Sequence, residues 1–161
     1  GETKDELGGS HLALHLGLTG GSVPRVDPER AKSTFKTIHQ AIQSGLVRSC
    51  HDLSEGGLAT AAAEMAIAGR LGVELDLENL GTQALDDLVL LYSESNTRFL
   101  VEASPENADE LEKLFADENL PISRIGTVTG SPRICIRRGE TTLVDVELSQ
   151  AVDAWQRPLD W

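Results

Sequence analysis

The chain has 161 residues, a length that suits one domain with a sizeable core. Apolar residues make up 40% and aromatics only 4%, so Leu, Val, Ile and Ala must do the packing, which favours layered α/β or α+β structure. Asp and Glu number 26 against 14 Lys and Arg, a net charge of −12 that argues against nucleic acid or an anionic membrane as partner.

Residues 1–10, "GETKDELGGS", are polar and end in a loop or helix-start signal at Gly8, Gly9 and Ser10. "HLALHLGL" alternates apolar and polar residues, which fits a strand or a short helix. Asp27 then caps a helix with Pro28 at its first position. Ala31, Phe35, Ile38 and Ile42 form the expected apolar face, and Gly45 the stop. "LVRSC" (46–50) reads as a short strand. An alanine-rich helix follows, with Leu58, Ala61, Met65 and Ala68 on one face and Gly69 at its end. "GVELDL" predicts a strand, "ALDDLVLLY" a short helix, and "RFLVEA" a strand. Ser104 and Pro105 open a helix whose Ala108, Leu111, Leu114 and Phe115 face the core. "ISRIGTVTG", "RICIRR" and "TLVDVEL" read as three strands with tight turns at Gly130–Ser131–Pro132 and Gly139. A last short helix carries Trp155. The order predicts a mixed sheet with helices packed on it, in one domain over 1–161.

Cys50 and Cys135 lie far apart in apolar runs and read as free, buried thiols in a reducing cytoplasm. No run reaches the length of a membrane span, and no signal peptide is visible. The chain opens without Met, which suggests a piece of something longer.

The chemistry concentrates at "CHDLSEGGLATAAAEMAIAG" (50–69). Its plain reading is a capping box, Asp52 at the cap and Glu55 reaching back. Yet Gly56 and Gly57 each cost about 0.5–1 kcal/mol in a helix start relative to Ala. Glycine there lets a phosphate oxygen approach backbone N–H groups at the positive end of the helix. Asp52 could bind Mg²⁺, which prefers few carboxylates together with water and phosphate. "SESNTR" supplies Ser93, Glu94, Ser95 and Arg98. This is a polar turn with a surface Glu94–Arg98 pair, or a set of phosphate donors. His11 and His15 have helical zinc spacing, but nothing nearby completes four ligands. His51 beside Asp52 shows no paired nucleophile.

Taken in order, "GETKDELGGS", "HDLSEGGLATAAAEMAIAG", "GVELDL" and "YSESNTRFLVE" resemble the C-terminal domain of phosphoribosylformylglycinamidine synthase in its small, multi-subunit form. A looser version belongs to the wider aminoimidazole ribonucleotide synthetase superfamily, and the alternative is a nucleotide- or anion-binding module of a thiamine monophosphate kinase, selenophosphate synthetase or hydrogenase maturation type. The resemblance implies ATP and Mg²⁺ as cofactors and an amidine-forming reaction on formylglycinamide ribonucleotide. It implies phosphate binding by Ser54, Gly56, Gly57, Gly8, Gly9 and Ser10, with Asp52 as metal ligand. It matches Ser93, Glu94, Ser95 and Arg98 to a substrate segment, here in a retired copy. It implies no catalytic residue in this stretch and no turnover by the chain alone. The partners implied are N-terminal domains of the same synthase chain, a glutaminase subunit and a small bridging subunit. An exposed sheet edge allows a homodimer. The resemblance also implies an α+β fold with a mixed, largely antiparallel sheet flanked by helices, makes "SHLALHLGL" a helix, and implies that a strand normally preceding Gly1 has been cut away.

Overall fold

The computed structural model describes residues 1–80 and 84–159. The chain gathers into two compact units, one from 1–61 with 85–123 and one from 62–84 with 124–161. The fold class is α+β, and the strands divide between two sheets rather than joining one.

In the first unit, α1 (His11–His15) is a helix, as the resemblance implies. The Ser10 hydroxyl accepts from Ala13 N at 3.1 Å and starts it. Helix α2 (Pro28–Gln43) begins where Asp27 accepts from Glu29 N and Arg30 N. Its buried face is Ala31, Thr34, Thr37, Ile38 and Ala41. Phe35 and Ile42, expected in the core, are 51% and 46% exposed. Thr37 returns its hydroxyl to Ser33 O at 2.9 Å, which lets a polar side chain sit in the buried stripe. Phe35 meets Phe99 edge-on, ring centres 5.9 Å apart. The inner core is Ile38, Ala41, Leu46, Leu111, Phe115 and Leu120. Leu111 and Phe115 come from α5 (Ala108–Asp117), as expected.

Strand β1 (Ser49–Asp52) begins later than predicted and runs through His51 and Asp52. It pairs antiparallel with β3 (Phe99–Glu102), Asp52 opposite Phe99. That register sets the segment after Asp52 beside the segment before Phe99. Helix α4 (Asp87–Tyr92) ends at the start of that second segment. Helix α3 (Gly57–Gly69) follows the first and contains the boundary between the units. It buries Leu58, Ala61, Ala62 and Ala66, while Met65 is half-buried and Ala68 exposed, so its buried stripe is shifted from the expected one.

The second unit holds a four-stranded sheet in the order β4 (Gly126–Thr129), β2 (Gly72–Asp76), β5 (Arg133–Arg138), β6 (Thr141–Glu147). β2 and β5 are parallel, and the other pairs antiparallel. β4 is shorter than the stretch predicted and lies at an edge. Helix α6 (Leu148–Gln156) adds Leu148 and Val152 to a core with Ala66 and Ile134. Its Trp155 is 55% exposed. Cys50 is exposed and Cys135 half-buried, so neither is the buried thiol expected from the apolar runs. Strand alternation explains this, since each sits between residues that point to the other face.

Candidate functional site

Every residue singled out for phosphate, metal or substrate lies in the first unit. The β1–β3 register brings the corner 52–57 and the loop 93–98 to one end of that strand pair. Leu53 N donates to Arg98 O at 2.9 Å and continues the ladder into both segments.

Asp52 is the last residue of β1 and α3 starts only at Gly57, so Asp52 does not hold the cap position of a capping box. Its side chain is 63% exposed. His51 Nδ1 lies 2.7 Å from Asp52 O and 3.7 Å from its carboxylate. Ser54 and Glu55 are exposed.

The glycines have a different cause from the one the sequence suggests. Gly56 and Gly57 have φ of +76° and +63°, the left-handed region. A Cβ on Gly57 would stand 2.6 Å from Ser93 O and 2.9 Å from Leu91 O. The corner therefore packs its backbone directly on the end of α4. Nor are the amides bare. Gly57 N donates to Ser54 O at 3.1 Å. Gly56 N donates to Glu94 Oε1 at 2.9 Å. The same oxygen accepts from His11 N, also at 2.9 Å.

Ser93 and Ser95 are spent on the N-terminal segment. Ser93 Oγ donates to Lys4 O at 2.8 Å and sits 2.9 Å from Ser95 Oγ. Lys4 N donates to Ser95 Oγ at 3.1 Å. Arg98 Nη1 donates to Ser93 O at 2.8 Å. Ser93, Ser95 and Arg98 are buried, so the expected surface pair of Glu94 with Arg98 does not form. Burial pushes the Arg98 guanidinium down to about 10, and the Glu6 carboxylate opposes that shift. Glu6 is itself buried, and its Oε2 has no hydrogen-bond partner.

In "GETKDELGGS", Gly8 is buried against the backbone of Gly21 and Ser22, and its N donates to Ser22 O. Gly9 is exposed with φ +76° and open space around it. Ser10 is spent on the α1 cap. Lys4 and Glu6 were not singled out in the sequence. Nothing in an acidic, aperiodic stretch marks one carboxylate as buried.

Among the described residues, no group of three or more His, Cys, Asp or Glu side chains could hold a metal ion. That leaves Asp52 as a lone exposed carboxylate, which fits Mg²⁺ only as one ligand of an ion held otherwise by phosphate and water.

The family model of the AIR synthase related protein C-terminal domain matches residues 1–138. The chain belongs to that family. It is 34% identical, over its whole length, to phosphoribosylformylglycinamidine synthase subunit PurL of Caldanaerobacter subterraneus subsp. tengcongensis, and spans 21% of that protein. It is 44% identical over 71% of its length to the same subunit of Thermococcus gammatolerans, of which it spans 16%. The chain thus spans about a fifth of the curated relatives it matches. A solved structure, T. maritima PurL complexed with FGAR, superposes on 81% of the chain and is covered over 22% of its own length, with TM-score 0.74 and 22% identity. A HypE–HypF complex shares the fold over 90% of the chain and 50% of its own, with TM-score 0.63 and 14% identity. Among the described residues, no helix is long and apolar enough to cross a membrane.

Proposed function

We propose that the chain serves as a C-terminal-type domain of phosphoribosylformylglycinamidine synthase in the cytoplasm. That enzyme converts formylglycinamide ribonucleotide to the amidine in de novo purine biosynthesis. ATP phosphorylates the amide oxygen, ammonia from glutamine adds at that carbon, and inorganic phosphate leaves. The observation that carries the reading is identity to PurL relatives along the entire chain. A relative's solved structure in complex with ATP supports the nucleotide part.

In this reading the exposed Asp52 shares a Mg²⁺ with the nucleotide, and exposed Ser54 and Gly9 meet phosphate oxygens beside Gly8, Ser10, Gly56 and Gly57. Ser93, Glu94, Ser95 and Arg98 are a retired substrate segment, because their polar groups are engaged within the chain. The groups that act on ATP come from N-terminal domains of the same synthase, with a glutaminase subunit and a small bridging subunit supplying ammonia. The exposed edge at β4 is where a second copy of the fragment would pair.

Calorimetry with ATP and Mg²⁺ on the synthase that carries the chain tests the site. Asp52→Asn and Ser54→Ala each weaken binding, the former on the order of tenfold for one lost charge-assisted contact. If both variants titrate as wild type, the corner has no nucleotide role.

A further inference from the structure

The corner and the N-terminal segment share one atom. Glu94 Oε1 accepts from both Gly56 N and His11 N, each at 2.9 Å. Two backbone amides converging on one oxygen is how such groups hold an anion, and here the anion is built into the chain. The flanking serines anchor the same N-terminal segment at Lys4, through its carbonyl and its amide. Residues 93–95 therefore fasten 4–11 from three successive positions, and the middle one also accepts a hydrogen bond from the corner.

We propose that Glu94 is a positioning residue that gates the corner: an external phosphate can use the Gly56 amide only as the Glu94 carboxylate leaves it, and that departure unfastens His11. This deepens the reading above and rests on it. Coulomb repulsion alone makes the two states exclusive, since a phosphate oxygen and a carboxylate oxygen cannot share an amide hydrogen without direct contact between like charges. Anion binding and loosening of the α1 entrance then become one equilibrium, and each must weaken or strengthen the other by the same factor.

The test is a titration of this chain with inorganic phosphate, read by the amide proton and nitrogen shifts of Gly56 and His11, in wild type and Glu94→Gln. Glutamine keeps the length and an acceptor oxygen but removes the charge. Both amides are expected to move along one curve with a common midpoint. The glutamine variant should reach that midpoint at about one tenth of the phosphate concentration, the difference between a charged and a neutral acceptor. Hydrogen exchange at His11 N should speed up on saturation in wild type. If phosphate moves Gly56 and leaves His11 still, the gate is overturned while phosphate binding at the corner stands. If phosphate moves neither amide in either protein, the corner takes no phosphate and both readings fall. Should the variant not fold, the wild-type curves alone decide whether the two amides move together.

Discussion

At the level of single residues, the glycine corner is held by steric and conformational necessity. Gly57 is left-handed, and a side chain there would press on the carbonyls of Ser93 and Leu91. Gly57→Ala should cost about 2–4 kcal/mol, from the left-handed backbone and the overpacking together. Gly45 gives the control, since it is left-handed at φ +72° with no atom within 4 Å of a built Cβ. Gly45→Ala should cost only about 1–2 kcal/mol. Urea unfolding of both variants separates the two causes, and equal losses would show that packing on α4 is unimportant. Arg98 is a second case. It is buried and its Nη1 bonds the buried Ser93 O at 2.8 Å, so Arg98→Met leaves that carbonyl without this donor. The loss should be about 1–3 kcal/mol for that buried hydrogen bond, and Glu6→Gln should cost less in the Arg98→Met background than in wild type, because the Glu6 carboxylate acts on the guanidinium. A double-mutant cycle in urea measures it, and strict additivity would disprove the coupling. These roles divide by how far the cause lies along the chain. The Ser10 and Asp27 caps could be read from sequence because a cap and its amide are neighbours. Glu94 bonds amides 83 and 38 residues away, and no local pattern encodes that.

At the level of elements, the limiting ambiguity was which stripe of a helix is buried. On α2 both the predicted and the observed stripes have helical spacing and share Ala31 and Ile38, so periodicity does not choose between them. The observed stripe takes in Thr34 and Thr37, and the hydroxyl bond that lets Thr37 be buried is something hydropathy ignores. The strands were legible as apolar runs, but their division into two sheets was not, because pairing partners are distant in sequence. In the four-stranded sheet, Asp76 ties the end of β2 to the β5–β6 turn. Its Oδ1 accepts from Glu78 N and Gly139 N, and its Oδ2 meets Arg137 at 2.7 Å. Burial alone would raise the Asp76 carboxyl, but the two amides and the guanidinium outweigh it and hold it below the usual value. A carboxyl depressed in the fold adds stability that is fully present above its unfolded value near ~3.9 and is lost as pH falls through the folded value. Asp76→Asn should therefore be less stable than wild type at neutral pH, and the gap should narrow below about pH 4. Thermal melts across that range check it, and a gap independent of pH would show that the carboxylate's charge is irrelevant.

At the scale of the whole chain, charge and missing chemistry point the same way. A net charge of −12 repels a bare polyphosphate, so a nucleotide must arrive with its cation or meet backbone amides. Within the described residues no cluster of ligands makes a metal centre. Ser93, Ser95 and Arg98 are buried, and the convergent pair of amides at the corner already holds the Glu94 carboxylate. Transition-state stabilisation in phosphoryl transfer needs several positioned cations or donors around the transferred group. A lone Asp52 with Ser54 supplies too few. The chain by itself should therefore release no phosphate from ATP and Mg²⁺ above the uncatalysed background, with or without formylglycinamide ribonucleotide and ammonium. Phosphate release measured on the purified chain decides it. Steady turnover that is abolished by Asp52→Asn would mean that the chain carries its own catalytic set, and the reading of it as a dependent domain would have to be given up.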